Sequence, residues 1–489
     1  MMKPSRVFRF TPVVALALAA GACDQGWTDL TSVNENPNQP AEVPAPLVFT
    51  EGIQEAVDEL LGNGLNMDYG EHLAQHTAEI AYSEEDIYQY RNTEIDGRFR
   101  EAYAEYLMDF QEVILQGRAK QLPNVEAGGL IMQSWVMHNL TDIWGDLPYS
   151  EAFQGNAETP NITPAYDTQE EIYTALLANL TTAVGLIDTG SDPFGSQDLI
   201  YQGDMAAWQK FANSLRLRLA MRLADVAPEV AEAEFQAALD APGGVFTSND
   251  DNAQVCYGSV TRNPWFAYFE GRANDYRVSK TLVDTLTSLS DPRLPVYAAP
   301  IAADTMTDRY IGMPNGMLDG HGVKAGETSK PGAAFLAEDA CLTLMSYAEV
   351  LFLQAEAAER WGIGGAADAL YYDAITASME QYGIADAAIT AYLGQPEVQY
   401  DAGNWKASIG LQKWIALFGQ GLEAFAEVRR LDYPQLKPGP GAVLDELPGR
   451  YPYPFGEETL NKASLQAALA NQGMSSPNDH EVPVWWDVF

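Results

Sequence analysis

The chain has 489 residues, with 28 Lys or Arg against 68 Asp or Glu, a formal net charge of −40 and 47% hydrophobic residues. That is ample apolar material for a large buried core, which excludes a disordered chain, a collagen and a disulfide-stapled miniprotein. So acidic a surface repels nucleic-acid phosphates and anionic lipid headgroups, so nucleic-acid binding and electrostatic docking on membranes are disfavoured.

The first segment has the pattern of an export signal. Lys3, Arg6 and Arg9 precede a short apolar run from Thr11 that ends in Ala20-Gly21-Ala22 just before Cys23. A basic start, an apolar stretch too short to span a bilayer and small residues at a cleavage point define such a signal. It resembles a bacterial lipoprotein signal covering residues 1–22, with Cys23 acylated as the mature N-terminus. Ala20 stands where Leu is usual, and ordinary secretory cleavage is the alternative. Loss of three basic residues would take the charge from −40 to −43. No later stretch offers 18 uncharged apolar residues, so lipid is the only membrane anchor expected. Residues 23–46 are expected to form a tether, with Asn34-Glu35-Asn36-Pro37-Asn38 as turn chemistry.

From residue 47 to 489 a single helical domain is expected. Helical spacing predicts helices over Leu47–Leu61, Tyr69–Ala81, Arg98–Gln121, Gly128–Ile143, Thr168–Leu186, Asp204–Ala224, Pro228–Leu239 and Ser279–Leu289. Further helices are predicted over Leu342–Trp361, Ala366–Tyr382, Ala385–Tyr392, Trp405–Arg430 and Thr459–Ala470. Leu344, Ala348, Leu351, Ala355 and Ala358 recur in steps of four and three, with Glu349, Glu356 and Glu359 on the other side. With the next helix they form a hairpin from Tyr347 to Tyr382, of the size and small/large pattern of a tetratricopeptide unit. The expected fold class is therefore mainly all-α, built of tetratricopeptide-like helical pairs. A loop-rich irregular lobe covers about 240–338, broken by Pro242-Gly243-Gly244, Arg262-Asn263-Pro264, Gly312-Met313-Pro314-Asn315-Gly316 and Gly320-His321-Gly322. A second irregular stretch runs from Lys437 to Glu457. Long loops in a compact chain are uncommon unless they carry function.

Catalytic signatures are missing. There is no nucleophile elbow, phosphate loop or dinucleotide fingerprint, and no cofactor is implied. His72 and His76 have the spacing of two ligands on one helix face, but Leu73 follows His72 where a metallopeptidase carries Glu, so no metal is assigned. Glu84, Glu85 and Asp86 could supply a glycosidase pair, yet in so acidic a chain such groups arise by chance. Arg216, Arg218 and Arg222 on one helix are expected to form ion pairs. Cys256 and Cys341 are either two buried thiols or a long-range disulfide.

The aromatic clusters point to a ligand. A sugar offers an apolar face rimmed by hydroxyls, and a site for it needs flat rings flanked by hydrogen-bonding side chains. Tyr82, Tyr88 and Tyr90 with Arg91 form one such group; Trp265 and Tyr268 with Asn263 and Asp275 form another. A peptide would suit the same inventory. Trp485 and Trp486 are expected to dock the C-terminal tail.

Several segments then carry a resemblance. The order of Asn34-Glu35-Asn36-Pro37-Asn38, Ile143-Trp144-Gly145-Asp146-Leu147-Pro148-Tyr149, Asp291-Pro292-Arg293-Leu294, Met345-Ser346-Tyr347-Ala348-Glu349-Val350 and Gln412-Lys413-Trp414 resembles the SusD/RagB family of outer-membrane nutrient-binding lipoproteins. The resemblance continues at Pro164 to Gln169, Trp208 to Leu219, Ala357 to Arg360 and Phe425 to Arg430, so it spans nearly the whole chain after the signal. It implies a non-catalytic helical lipoprotein of the outer membrane, facing the exterior. Its expected partner is a SusC-like TonB-dependent transporter, to which it hands an oligosaccharide or peptide. The competing readings are a secreted carbohydrate-active enzyme and a tetratricopeptide-type scaffold.

Overall fold

The computed structural model describes residues 43–155, 160–301 and 309–488. The expected signal, Cys23 and nearly all of the tether lie outside the described residues. From Ala45 onward the chain forms one compact unit, mainly helical with three two-stranded antiparallel sheets. No described helix is long and apolar enough to cross a membrane.

The first helices pack in chain order. α1 (Ala45–Leu60) lies on α3 (Tyr106–Lys120), α3 on α4 (Pro123–Trp144), α4 on α5 (Gln169–Leu186) and α5 on α6 (Met205–Arg222), which pairs with α7 (Pro228–Leu239). α2 (Asn92–Ala104) precedes α3, and the single helix expected over Arg98–Gln121 is in fact these two, broken at Glu105 (φ −116°, ψ −102°). Thr168 starts α5 with a capping box: its hydroxyl accepts from the Glu171 amide at 3.2 Å while Glu171 accepts from the Thr168 amide at 2.9 Å.

Two strands replace expected helix. After one turn at Glu71–Leu73 the left-handed Gln75 (φ 51°) reverses the chain. β1 (Thr77–Glu79) then pairs with β5 (Tyr276–Val278). The shortest sheet joins β2 (Leu147–Pro148) to β3 (Tyr166–Asp167). In the third, β6 (Cys341–Met345) buries Leu342 and Leu344 alternately and pairs with β4 (Ala253–Cys256). Cys256 and Cys341 face one another there and are joined by a disulfide. Only after β6 does Ser346 cap α10 (Tyr347–Trp361), accepting from the Glu349 amide. Between the first and third sheets lie α8 (Pro264–Gly271) and α9 (Lys280–Ser288), so the irregular lobe is stitched to the body at β1–β5 and β4–β6.

α10 ends at the left-handed Gly362 and packs along α11 (Ala367–Glu380), forming the expected hairpin. α12 (Asp386–Leu393) follows. The expected helix Trp405–Arg430 is two, α13 (Trp405–Ala416) and α14 (Gly421–Leu431), separated at Gly419 (φ 92°). α15 (Phe455–Leu460) and α16 (Lys462–Asn471) close the chain.

Buried charges tie the long helices together. Arg218 holds Glu349 with two bonds of 2.7 and 2.6 Å. Arg222 reaches Asp142, Glu423 and Glu427 at 3.1, 2.6 and 2.5 Å, and Arg430 binds Glu356 and Glu427. Arg216 pairs with Glu234 at 3.3 Å, as ion pairing on α6 requires. The network crosses α4, α6, α10 and α14. It accounts for the arginines and glutamates in the scaffold segments, because a buried charge is tolerated only with matched partners. Trp486 is buried with its indole N–H on Asp142 at 2.7 Å, which docks the tail; Trp485 is only partly buried.

Candidate ligand site

Three loops converge at one edge of the irregular lobe. Residues 80–91 leave β1, residues 263–275 precede β5, and residues 312–323 follow α9 in the chain. The Ile80 amide donates to the Asp275 carbonyl at 2.7 Å, and His321 Nε2 meets the Ile80 carbonyl at 3.2 Å. Asn315 Nδ2 and the Gly316 amide both donate to Asp86 at 2.9 Å. From behind, Val443 bonds Ile87 and Gly441 bonds Gly316. A Cβ on Gly439 would lie 2.0 Å from the Asn315 carbonyl, so only glycine allows that approach.

Tyr82 stands outermost, 58% exposed and left-handed at φ 60°. The Arg272 guanidinium lies 4.9 Å from its ring centroid and 5.7 Å from that of Tyr268. Arg272 Nε donates to Asp275, which also accepts from the Tyr268 hydroxyl at 3.0 Å. Behind Tyr268 the Tyr276 ring follows at 5.3 Å. Arg91 is half exposed and binds Glu85 at 2.8 Å. The structure thus brings Tyr82, Tyr268 and Asp275 together at one edge, with Arg91 on the same loop as Tyr82.

The other expected site residues are scaffold. Trp265 is fully buried, its indole N–H donating to the Leu61 carbonyl at 2.9 Å. Asn263 is the N-cap of α8, accepting from the Phe266 amide at 3.1 Å and donating to the Ala340 carbonyl at 3.2 Å. Tyr88 is 3% exposed, and burial pushes its hydroxyl well above the usual phenol range. Tyr90 packs against Tyr69 and Tyr451 with its hydroxyl buried. Trp265, Asn263 and Tyr88 are thus closed to a ligand, and Tyr90 is only partly exposed. Arg272 is the residue that loop reading missed; its signal is the four-residue step from Tyr268 on a short helix.

The titratable groups below the loops also have structural roles. Burial pushes the Glu79 carboxyl up to about 8, with His72 facing it at 3.7 Å. Burial pulls His72 down, but Glu79 outweighs it and holds the imidazole at about 9. Asp86 is saturated by Asn315, Gly316 and the Glu79 amide, and Glu85 by Arg91. Glu85 and Asp86 are therefore committed to partners, and of the acidic run only the Glu84 side chain has no hydrogen-bond partner among the described residues. His76 turns away to the Trp414 carbonyl at 2.9 Å, so the two histidines share no ligand. His138, Asp142 and Glu423 come within metal-sharing distance. However, Arg222 bonds both of those carboxylates, and burial with Arg218 and Arg222 holds His138 neutral, well below its usual range. These charges belong to the ion-pair network.

The family model for SusD-like proteins, described as starch-binding and associating with the outer membrane, matches residues 37–454. No curated protein matches the chain. Among solved structures, a chitin-binding protein is similar at 29% identity and a TM-score of 0.80, over 91% of this chain and 100% of that one. A chitin-binding SusD homolog from Flavobacterium johnsoniae is similar at 27% and 0.79, over 90% and 98%. A SusD homolog from Bacteroides uniformis, at 24% identity, shares the fold with a TM-score of 0.80 over 90% and 99%.

Proposed function

The chain belongs to the SusD-like family of proteins associated with the outer membrane, and on that premise we propose that it captures an oligosaccharide at the cell surface and passes it to a TonB-dependent outer-membrane transporter. One observation carries the ligand class: an exposed Tyr82 ring against the Arg272 guanidinium, which also lies against Tyr268, with Asp275 beside them. A ring face with charged hydrogen-bonding groups at its edge is the chemistry a sugar requires. β-1,4-linked N-acetylglucosamine oligomers are the first ligands to test, because two similar structures are of chitin-binding proteins. Binding proceeds without bond cleavage, a reading supported by Glu85 and Asp86 being held by Arg91, Asn315 and Gly316. A lipid on Cys23 would hold the protein at the membrane.

The reading is tested in two steps. Calorimetry of the purified protein with chito-oligosaccharides should show saturable binding and an intact ligand afterwards. The lipidated protein, drawn gently from outer membranes, should bring a stoichiometric transporter with it. Release of shortened sugars would replace the reading with an enzyme. Binding of peptides but no glycan would change the cargo, and recovery without a transporter would remove the import role.

A further inference from the structure

The exposed edge of the site contains a donor whose capacity the fold leaves unused. Arg272 is half exposed, and its Nε is committed to Asp275. Among the described residues its two Nη groups make no hydrogen bond, although the guanidinium is fixed in place by contact with the Tyr82 and Tyr268 rings. A guanidinium donates and never accepts, so its partner on a ligand must be an acceptor.

The surrounding charge narrows what that acceptor can be. Asp275 lies against Arg272, Asp319 takes the Ser83 hydroxyl at 3.4 Å, and Glu84 and Glu270 border the same loops. Arg262 is already bound to Glu270 and Arg91 to Glu85. Carboxylates outnumber guanidinium groups here, on a chain with net charge −40. A uronate or sulfate would meet that field unfavourably. A neutral sugar presents hydroxyls, which both donate and accept, unless it carries an amide. An acetamido group offers one strong acceptor beside one donor, which matches a guanidinium set beside carboxylates.

We propose that Arg272 is the specificity-determining residue of this site, reading the acetamido carbonyl of an N-acetylhexosamine whose ring stacks on Tyr82, with a neighbouring carboxylate taking the amide N–H. This rests on the glycan-binding reading above and adds the group that selects the sugar. Tyr82 supplies stacking that any pyranose can use. Arg272 supplies the discrimination, since a charge-assisted bond is worth roughly tenfold or more in affinity.

The test compares two ligands that differ at C2 alone. Calorimetry on the intact protein should show chitohexaose binding at least tenfold more tightly than cellohexaose. In Arg272→Ala that ratio should fall to within about threefold, while Tyr82→Ala should weaken both ligands together. Both variants alter exposed side chains, and thermal unfolding checks that they are folded. A ratio that survives Arg272→Ala, or oligogalacturonate as the tightest ligand, would overturn the assignment while leaving glycan capture standing. No binding of any oligosaccharide by the unaltered protein would refute the capture reading and this inference with it.

Discussion

Tyr82 and Trp265 are both aromatic residues in irregular sequence, yet one is 58% exposed and the other 0%. Their substitutions should therefore report different things. Tyr82→Ala removes a solvent-facing ring that supports no core contact, so glycan affinity should fall by about 1–3 kcal/mol with the unfolding midpoint unchanged. Trp265→Ala empties a buried site against Phe335 and Phe418 and removes one of the two donors to the Leu61 carbonyl, at a cost of about 3–5 kcal/mol in stability. Calorimetry paired with urea unfolding separates the two; a Trp265→Ala protein of normal stability and weakened binding would reverse the roles. The distinction was available in the spacing. Once Pro264–Gly271 is read as a helix, Trp265 and Phe269 share the inner face, while Tyr268 and Arg272 share the outer one. Read as a loop, the segment gives no way to tell an inward ring from an outward one.

At the scale of elements, legibility follows periodicity and capping. The α10–α11 hairpin is plain from steps of three and four, and α5 from its Thr168 cap. Three failures lie where a backbone conformation interrupts apolar sequence: Gln75, Glu105 and Gly419 end helices that composition alone would continue. At a fourth, β6 takes the start of the expected helix from Leu342 up to the Ser346 cap. The convergence of the three site loops is also illegible, because it is made largely by backbone amides such as Gly316 and Gly441, which leave no side-chain signature. The disulfide is a further case, since residue spacing cannot show that Cys256 and Cys341 sit opposite one another on paired strands. It closes a loop of 85 residues that contains α8 and the Arg272 side of the site. Constraining so long a loop in the unfolded chain is worth about 2–5 kcal/mol. Cys256→Ser with Cys341→Ser should lower the unfolding free energy by that amount and move the urea midpoint down accordingly, and reductant should do the same to the unaltered protein. Equal midpoints with and without reductant would show that the β4–β6 pairing holds the lobe unaided.

Across the whole molecule, the excess of acids sets the direction of the pH response. Burial, then Asp109, Glu105, Glu51 and Asp58, pushes Glu55 up to about 7. Burial with Glu51, Glu105 and Glu112 raises Asp109 to about 6, and burial alone dominates at Glu79, near 8. A carboxyl raised in the folded state binds a proton there that the unfolded chain would release, so its contribution to stability declines as pH climbs from about 4.5 toward 8. Glu427 runs the other way: against burial, Arg430, Lys413 and Arg222 hold it well below the usual range. Its stabilising pairing is complete above the unfolded pKa and is lost only in stronger acid. Together these groups place the maximum of stability near pH 5, with a falling limb toward pH 8 and a steeper one in strong acid. Salt should shallow the part of the alkaline limb that comes from repulsion at the partly exposed Glu55 and Asp109, which mobile ions screen, and leave the larger part due to burial. Thermal unfolding from pH 4 to 8, at low and at high sodium chloride, should show the midpoint dropping between pH 5 and 8 and recovering in part with salt. A midpoint that rises steadily to pH 8, or ignores salt, would mean that the paired carboxylates of the buried network outweigh the unpaired ones at the surface.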